Sequence, residues 1–377
     1  MAKPPRKLRV PFRKNRDHRR REPDFRRSFL EGDPDADDAL PVERVRAKGD
    51  LSRKRTVLVD EEGRLAVDES QAVRGRVVTP HGLFCFVGTP DGRIHKCYTR
   101  RLLKTLARNE RSAIASGDWV WFRPAPGGAG EGWILRVEPR SRVLTRAYRN
   151  REQVIAANVD QVLVVAAVAE PELKRNLIDR YLVSAAMGGV DAVICLNKVD
   201  LVDPSRLQPL IGLYSQLGYR IVATSAATGS GVEALRALLL GRETVVVGQS
   251  GVGKSSLLNA LAPSFHLRVR DVSASTGKGR HATTHAQLLG FPGGGAVVDT
   301  PGVRQFELWQ VESGDVEMYF REFRAFTTHC RFRGCLHLDE DECAVRSAVA
   351  DRMISFGRYD SYTRICRPED PKGGGDA

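Results

Sequence analysis

No apolar run in this sequence approaches the ~20 residues needed to span a bilayer. The longest, Val162–Ala169, has the length of a buried strand. An apolar segment is also missing from the charged amino terminus, which therefore does not read as a secretory leader. These absences predict a cytoplasmic protein with no membrane partner. Cysteine is sparse and unevenly placed. Cys85, Cys97, Cys195 and Cys366 stand apart, whereas Cys330, Cys335 and Cys343 fall close together, a pattern that argues for a metal site over a disulfide framework. Acidic residues are the minority, 46 against 59 Lys and Arg, and the resulting net charge of +13 favours a polyanionic partner.

The excess positive charge is concentrated. Residues 1–30 contain twelve Lys or Arg and three acids, including the run Arg19-Arg20-Arg21, and Glu31–Glu43 then turns acidic. Neither stretch has enough apolar surface to fold alone, so residues 1–68 are expected to form a disordered arm. From 69 to 145 the pattern becomes short alternating segments, Ala72–Thr79, Leu83–Val87, Arg93–Tyr98, Asp118–Phe122 and Trp133–Glu138. Turn residues at Pro80-His81-Gly82, Pro90-Asp91-Gly92 and Gly127-Gly128 punctuate them, which predicts an OB-type β-barrel. Arg74, Arg76, Arg93, Lys96, Arg100 and Arg101 make that barrel basic. Residues 146–310 alternate apolar strands with helical stretches, the signature of an α/β domain with a parallel sheet. Its strands are expected at Asp160–Val168, Asp191–Leu196, Arg220–Thr224, Thr244–Val247 and Gly295–Val298. Helices are expected at Lys174–Gly188, Leu207–Leu217, Val232–Leu239 and Lys254–Leu261. Residues 311–366 read as a mainly helical module around the cysteine cluster, and 367–377 as a disordered Gly-rich tail.

Gly248-Gln249-Ser250-Gly251-Val252-Gly253-Lys254-Ser255 fits G-x-x-x-x-G-K-[ST] at every fixed position, after an apolar strand and before a helix that opens through Ser256. Backbone N–H groups of such a loop wrap phosphates beneath a helix N-terminus, Lys254 reaches the β- and γ-phosphates and Ser255 holds Mg²⁺. Asn197-Lys198-Val199-Asp200 follows the strand Asp191–Leu196. The Asp200 carboxylate can accept from both N1–H and the 2-amino group of guanine, Asn197 braces the loop and Lys198 covers the ring. In Thr224-Ser225-Ala226 a backbone N–H at Ser225 or Ala226 can meet guanine O6. Asp299-Thr300-Pro301-Gly302 fits the D-x-x-G loop, with Asp299 ordering Mg²⁺ and the Gly302 N–H meeting the γ-phosphate. Gly277–His285 occupies the switch I position. Thr283 and Thr284 are both candidates there for the second hydroxyl on Mg²⁺. Val303 holds the position where Ras-like enzymes carry a water-positioning Gln, which leaves His281 as the candidate catalytic side chain and His285 as its alternative.

The order of these motifs is permuted: the base-reading loops at 197 and 225 precede the phosphate loop at 248. Farther on, Cys330, Cys335, His337 and Cys343 supply three thiolates and one imidazole, a set suited to one structural zinc ion, with His329 as a competing imidazole.

Taken together, Asn197–Asp200, Gly248–Ser255, Gly279-Arg280-His281, Asp299–Gly302 and the Cys330/Cys335/His337/Cys343 cluster resemble the ribosome small-subunit-dependent GTPase A family, over roughly residues 70–366. The resemblance implies an OB barrel, a circularly permuted P-loop GTPase domain and a zinc module. It also implies GTP hydrolysis coupled to late maturation of the 30S ribosomal subunit, with 16S rRNA as a contact, and a protein acting as a monomer. The arm is longer and more basic than the resemblance accounts for.

Overall fold

The computed structural model describes residues 6–12, 45–48, 52–59, 65–99, 103, 114–125, 130–147, 152–269, 286–300 and 313–367. Of the arm expected over residues 1–68, the described residues are 6–12, 45–48, 52–59 and 65–68, and the rest lies outside them. Strands β1 (Arg6–Phe12), β2 (Val45–Lys48) and β3 (Ser52–Val59) form an antiparallel sheet of order β1-β3-β2. The period-two alternation Leu8, Val10, Phe12 lies within a strongly charged stretch.

Five strands then close into a barrel of order β4-β5-β6-β8-β7: β4 (Val73–Pro80), β5 (Phe84–Gly88), β6 (Ile94–Thr99), β7 (Trp119–Pro124) and β8 (Glu131–Val137). Alternate residues Val77, Cys85, Val87, Cys97, Val120, Phe122 and Ile134 fill its interior. A hairpin absent from the sequence reading, β9 (Val143–Ala147) with β10 (Glu152–Ala157), connects barrel to sheet.

The central sheet contains six strands in the order β13-β12-β11-β14-β16-β15. They are β11 (Gln161–Ala167), β12 (Asp191–Asn197), β13 (Arg220–Ala223), β14 (Glu243–Val247), β15 (Gln287–Gly290) and β16 (Ala296–Asp299), and every pairing is parallel except β15 with β16. Strand β15, four residues long, is a further element that the sequence reading does not contain. The continuous apolar run in β11 follows from burial on both faces. Val162, Val164 and Ala166 pack with helices α1 (Arg175–Met187) and α2 (Gln208–Gln216). Leu163, Val165 and Ala167 pack with α3 (Val232–Leu239) and α4 (Lys254–Leu261).

Beyond residue 312, the short helix α5 (Ser313–Val316), three 3-10 turns, α6 (Ala344–Ala350) and α7 (Phe356–Cys366) close over Val316, Phe320, Phe323, Val345 and Tyr362. This module is docked on α1 by buried charge. Arg358 donates to Asp179 Oδ1 at 2.6 Å and to Glu322 Oε1 at 2.6 Å, and Tyr214 donates to Asp179 Oδ1 at 2.7 Å. The barrel is joined to the sheet by Arg76, which donates to Glu243 Oε1 at 2.5 Å, and by Ser116, whose hydroxyl donates to the Ala286 carbonyl at 2.7 Å. All four described members of the barrel's basic set are paired within the protein: Arg74 with Glu138 at 2.8 Å, Arg76 with Glu243, Arg93 with Asp91 at 3.3 Å and Lys96 with Glu131 at 3.7 Å, while Arg100 and Arg101 lie outside the described residues. Among the described residues, no helix is long and apolar enough to cross a membrane.

Candidate nucleotide site and metal centre

All the described nucleotide motifs sit on loops at the carboxyl edge of the central sheet, where ligands of open α/β folds bind. Strand β14 feeds residues 248–253, and α4 starts at Lys254. The glycines are required by the geometry. Gly248 has φ +147° and a Cβ there would lie 2.2 Å from the Val165 carbonyl oxygen; Gly253 has φ +90° and its Cβ would lie 2.5 Å from Asn197 Nδ2. Gln249, Ser255 and Ser256 are half-buried and Ser250 is exposed, while Val252 packs into the core below the loop.

Lys254 is buried, and its Nζ donates to the carbonyls of Gly248 and Gln249, each at 2.9 Å. Burial pushes its ammonium down to about 8, opposed by the charge of Asp299. Asp299 ends β16, and burial raises its carboxyl above the ordinary range against the pull of Lys254. A partly desolvated carboxylate beside the start of α4 is suited to a hard cation, as is the hydroxyl of Ser255, so these two residues could hold Mg²⁺. Thr300 was not singled out from the sequence. Its hydroxyl donates to the Val246 carbonyl at 2.6 Å and ties the end of β16 to β14.

Asn197 is fully buried and joins three loops. Its Nδ2 donates to the Val252 carbonyl at 2.9 Å, and its Oδ1 accepts from Thr224 Oγ1 at 3.2 Å and from the Ala226 N–H at 3.3 Å. Lys198 has φ +64°, and its Nζ donates to the Glu170 carbonyl. That backbone turn starts the 3-10 helix Val199–Leu201 and sets Asp200 in its first turn, exposed to solvent. Ser225 is buried and its hydroxyl caps the following turn by accepting from the Thr228 N–H at 3.1 Å. The structure thus brings Asn197, Ser225, Ala226, Gly248–Ser256 and Asp299 to one sheet edge. His281, Thr283, Thr284 and Gly302 lie outside the described residues, as do Val303 and His285.

At the opposite end of the chain, one ligand atom from each of Cys330, Cys335, His337 and Cys343 lies within 4.8 Å of the others. His337 Nδ1 is 3.3 Å from Cys343 Sγ and 3.5 Å from Cys330 Sγ, and the two sulfurs are 3.9 Å apart. A tetrahedron with metal–sulfur bonds of ~2.3 Å has edges of ~3.8 Å, so these separations suit a single zinc ion. His337, not His329, completes the set. A residue that sequence spacing did not reveal supports it: Glu317 Oε2 lies 2.5 Å from His337 Nε2, which orients the ring so that Nδ1 faces the sulfurs. Tyr359 and Tyr362 donate to the carbonyls of His337 and Leu336 at 2.7 and 2.6 Å. Glu317→Gln should lower zinc affinity by about 10- to 100-fold with the fold retained. Chelator competition would measure this, and an unchanged dissociation constant would remove Glu317 from the metal site.

A six-stranded sheet with its base loops ahead of its phosphate loop, preceded by a barrel and followed by a Cys/His module, defines a circularly permuted GTPase. The RsgA GTPase family model matches residues 137–309. The chain is 43% identical over 295 residues to Small ribosomal subunit biogenesis GTPase RsgA of Pseudomonas aeruginosa (strain LESB58), covering 77% of this chain and 84% of the relative. It is 40% identical over 301 residues to the protein of the same name in Photorhabdus laumondii, covering 77% and 83%. The crystal structure of YjeQ from Thermotoga maritima superposes with a TM-score of 0.62 at 37% identity, covering 78% of this chain and 97% of that one. That of YloQ, a circularly permuted GTPase, gives 0.59 at 27% identity over 81% of this chain and 100% of that one. The chain belongs to the RsgA GTPase family.

Proposed function

We propose that this protein hydrolyses GTP as a switch in late maturation of the small ribosomal subunit, binding the 30S particle and its 16S rRNA in the GTP state and leaving after hydrolysis. The observation that carries the reading is the Asn197 junction, which fastens a guanine-type loop to a phosphate loop across one sheet edge. The relatives' names supply the particle. In this reading Asp200 accepts from the guanine edge, Lys198 covers the ring, the 248–256 loop and Lys254 hold the phosphates, and Gly302 contacts the γ-phosphate. Mg²⁺, when bound by Ser255, Asp299 and one of Thr283 or Thr284, neutralises charge on the β- and γ-phosphate oxygens. His281 orients the attacking water once the subunit orders its surroundings. The zinc module, fixed to α1 by Arg358, moves with the GTPase domain as one body, and the protein acts as a cytoplasmic monomer.

The decisive experiment is sedimentation with purified 30S and 50S subunits in GDP and in a non-hydrolysable GTP analogue. Selective 30S co-sedimentation with the analogue is expected; preference for 50S, or indifference to nucleotide, would overturn the reading.

Lys254 adds a pH prediction. Its depressed value means the free protein loses this proton through about pH 8, where half of it is neutral, whereas polyphosphate favours the charged form. Nucleotide binding should therefore take up a proton just above pH 8 and weaken as pH rises through that window, by at most about tenfold per unit. Calorimetry in buffers of different ionisation heat measures the uptake. Its absence above pH 8 would detach Lys254 from the phosphates.

A further inference from the structure

Thr300 occupies an x position of D-x-x-G, where the motif asks for no particular side chain. Strand β16 pairs through Asp299 on both sides, with Val246 of β14 and with Gln287 of β15, and both pairings end there. Thr300 is therefore the first residue past the sheet's own hydrogen bonds. Its side chain takes over from them: the hydroxyl donates at 2.6 Å to the carbonyl of Val246, the residue opposite Asp299, and Thr300 is 3% exposed. The backbone is thus held on both sides of the Asp299 Cα, by the ladder before it and by the hydroxyl after it. Val246 lies two positions before Gly248, so the same bond refers Asp299 to the root of the phosphate loop. Packing does not explain the hydroxyl. Valine has the same branched shape and would fill the site without burying a polar group.

We propose that Thr300 is a positioning residue for Mg²⁺: its hydroxyl fixes Asp299 relative to the phosphate loop, so that the carboxylate meets the ion without first being ordered. Mg²⁺ demands near-octahedral geometry and tolerates little displacement of the groups around it. A carboxylate on the last residue of a strand is a poor partner for such an ion unless the peptide that follows is tethered. A side-chain tether suits this point, because it fixes Asp299 without extending the ladder into the residues beyond. The inference rests on the reading that Asp299 and Ser255 hold Mg²⁺ with a bound nucleotide, and it adds a residue that touches neither the ion nor the phosphates.

The test uses the full chain and a fluorescent, non-hydrolysable GTP analogue, whose affinity is measured in EDTA and across a Mg²⁺ series, so that no turnover is involved. Thr300→Val should raise the Mg²⁺ concentration at half effect by about five- to tenfold, the weight of one hydrogen bond, and leave the affinity in EDTA within about twofold of the parent. Thr300→Ser, which keeps the hydroxyl, should retain the parental requirement. Thr244→Val is the structural control. Thr244 is buried at the start of β14, the strand that contains Val246, and its hydroxyl accepts from Gln161 Nε2 at 2.9 Å. That variant should lower the urea midpoint without moving the Mg²⁺ requirement, and Asp299→Asn should remove most of the Mg²⁺ response. An unchanged requirement in Thr300→Val, with Asp299→Asn impaired, would overturn the proposal alone. Equal increases in Thr300→Val and Thr244→Val would also overturn it, by reducing the hydroxyl to general support of the sheet. A full Mg²⁺ response in Asp299→Asn would instead detach Asp299 from the metal and refute the reading on which the proposal stands.

Discussion

Asp200→Asn should exchange guanine for xanthine nucleotides. The exposed carboxylate is set by the left-handed turn at Lys198, and no backbone group of the 3-10 helix needs it as a cap. Substitution therefore changes the chemistry of the base edge with little effect on the fold. Guanine offers two donors, N1–H and the 2-amino group, which a carboxylate accepts as a pair. An amide opposes its own N–H to the 2-amino group but can donate to the 2-oxo group of xanthine. Losing a matched pair and leaving a mismatch should weaken GTP binding by at least about a hundredfold, with a comparable gain for XTP. Competition against fluorescent GDP reads both numbers. Retained GTP affinity without a gain for XTP would show that the base is read elsewhere.

Arg358→Ala should be the most destabilising single substitution in the C-terminal half. The Arg358 side chain is 2% exposed, between Asp179 at 1% and Glu322 at 9%. Removing the guanidinium leaves two carboxylates buried together with only Tyr214 as a neutral donor to one of them. Breaking a buried ion group this way costs about 3–5 kcal/mol, a large share of a domain's stability. The penalty belongs to the abandoned acids. Removing Arg358 together with Asp179 and Glu322, in favour of apolar residues of similar size, should therefore cost less than removing Arg358 alone. Urea denaturation of the single and triple variants decides. Equal or greater loss in the triple variant would show that the network itself, and not the desolvated charge, holds the module on α1.

The two residues just discussed differ in how visible they are in the sequence. Asp200 belongs to a contiguous motif whose strand and loop are local, and so do Gly248–Ser255 and Asp299; the apolar runs of β12, β14 and β16 mark each strand to within a residue at each end. Helix Val232–Leu239 was legible from Val232, Leu235 and Leu239 alone. Arg358 is different, because its partner Asp179 lies 179 positions away and no periodicity links them. Glu317, 20 residues before His337, is invisible for the same reason. The missed elements share a physical cause. Val143–Ala147 and Glu152–Ala157 mix polar and apolar residues without clean alternation because a hairpin linking two domains is half covered on both faces. In the N-terminal strands a weak alternation was hidden beneath a strong charge signal. Composition describes the average of a segment, whereas strand pairing is decided by which alternate positions meet.

The Asn197 side chain has a consequence for how the site opens. Its amide holds the phosphate loop at Val252 and its oxygen holds the Ala226 N–H, so neither loop can swing out without releasing the other. Slow amide exchange reports such joint openings as a shared rate. The Ala226 amide and those of the phosphate-loop backbone should therefore exchange together, as one breathing unit that includes stretches of chain more than twenty residues apart. A nucleotide entering that edge meets two walls that already move together, so it spends little of its binding free energy on bringing them into line.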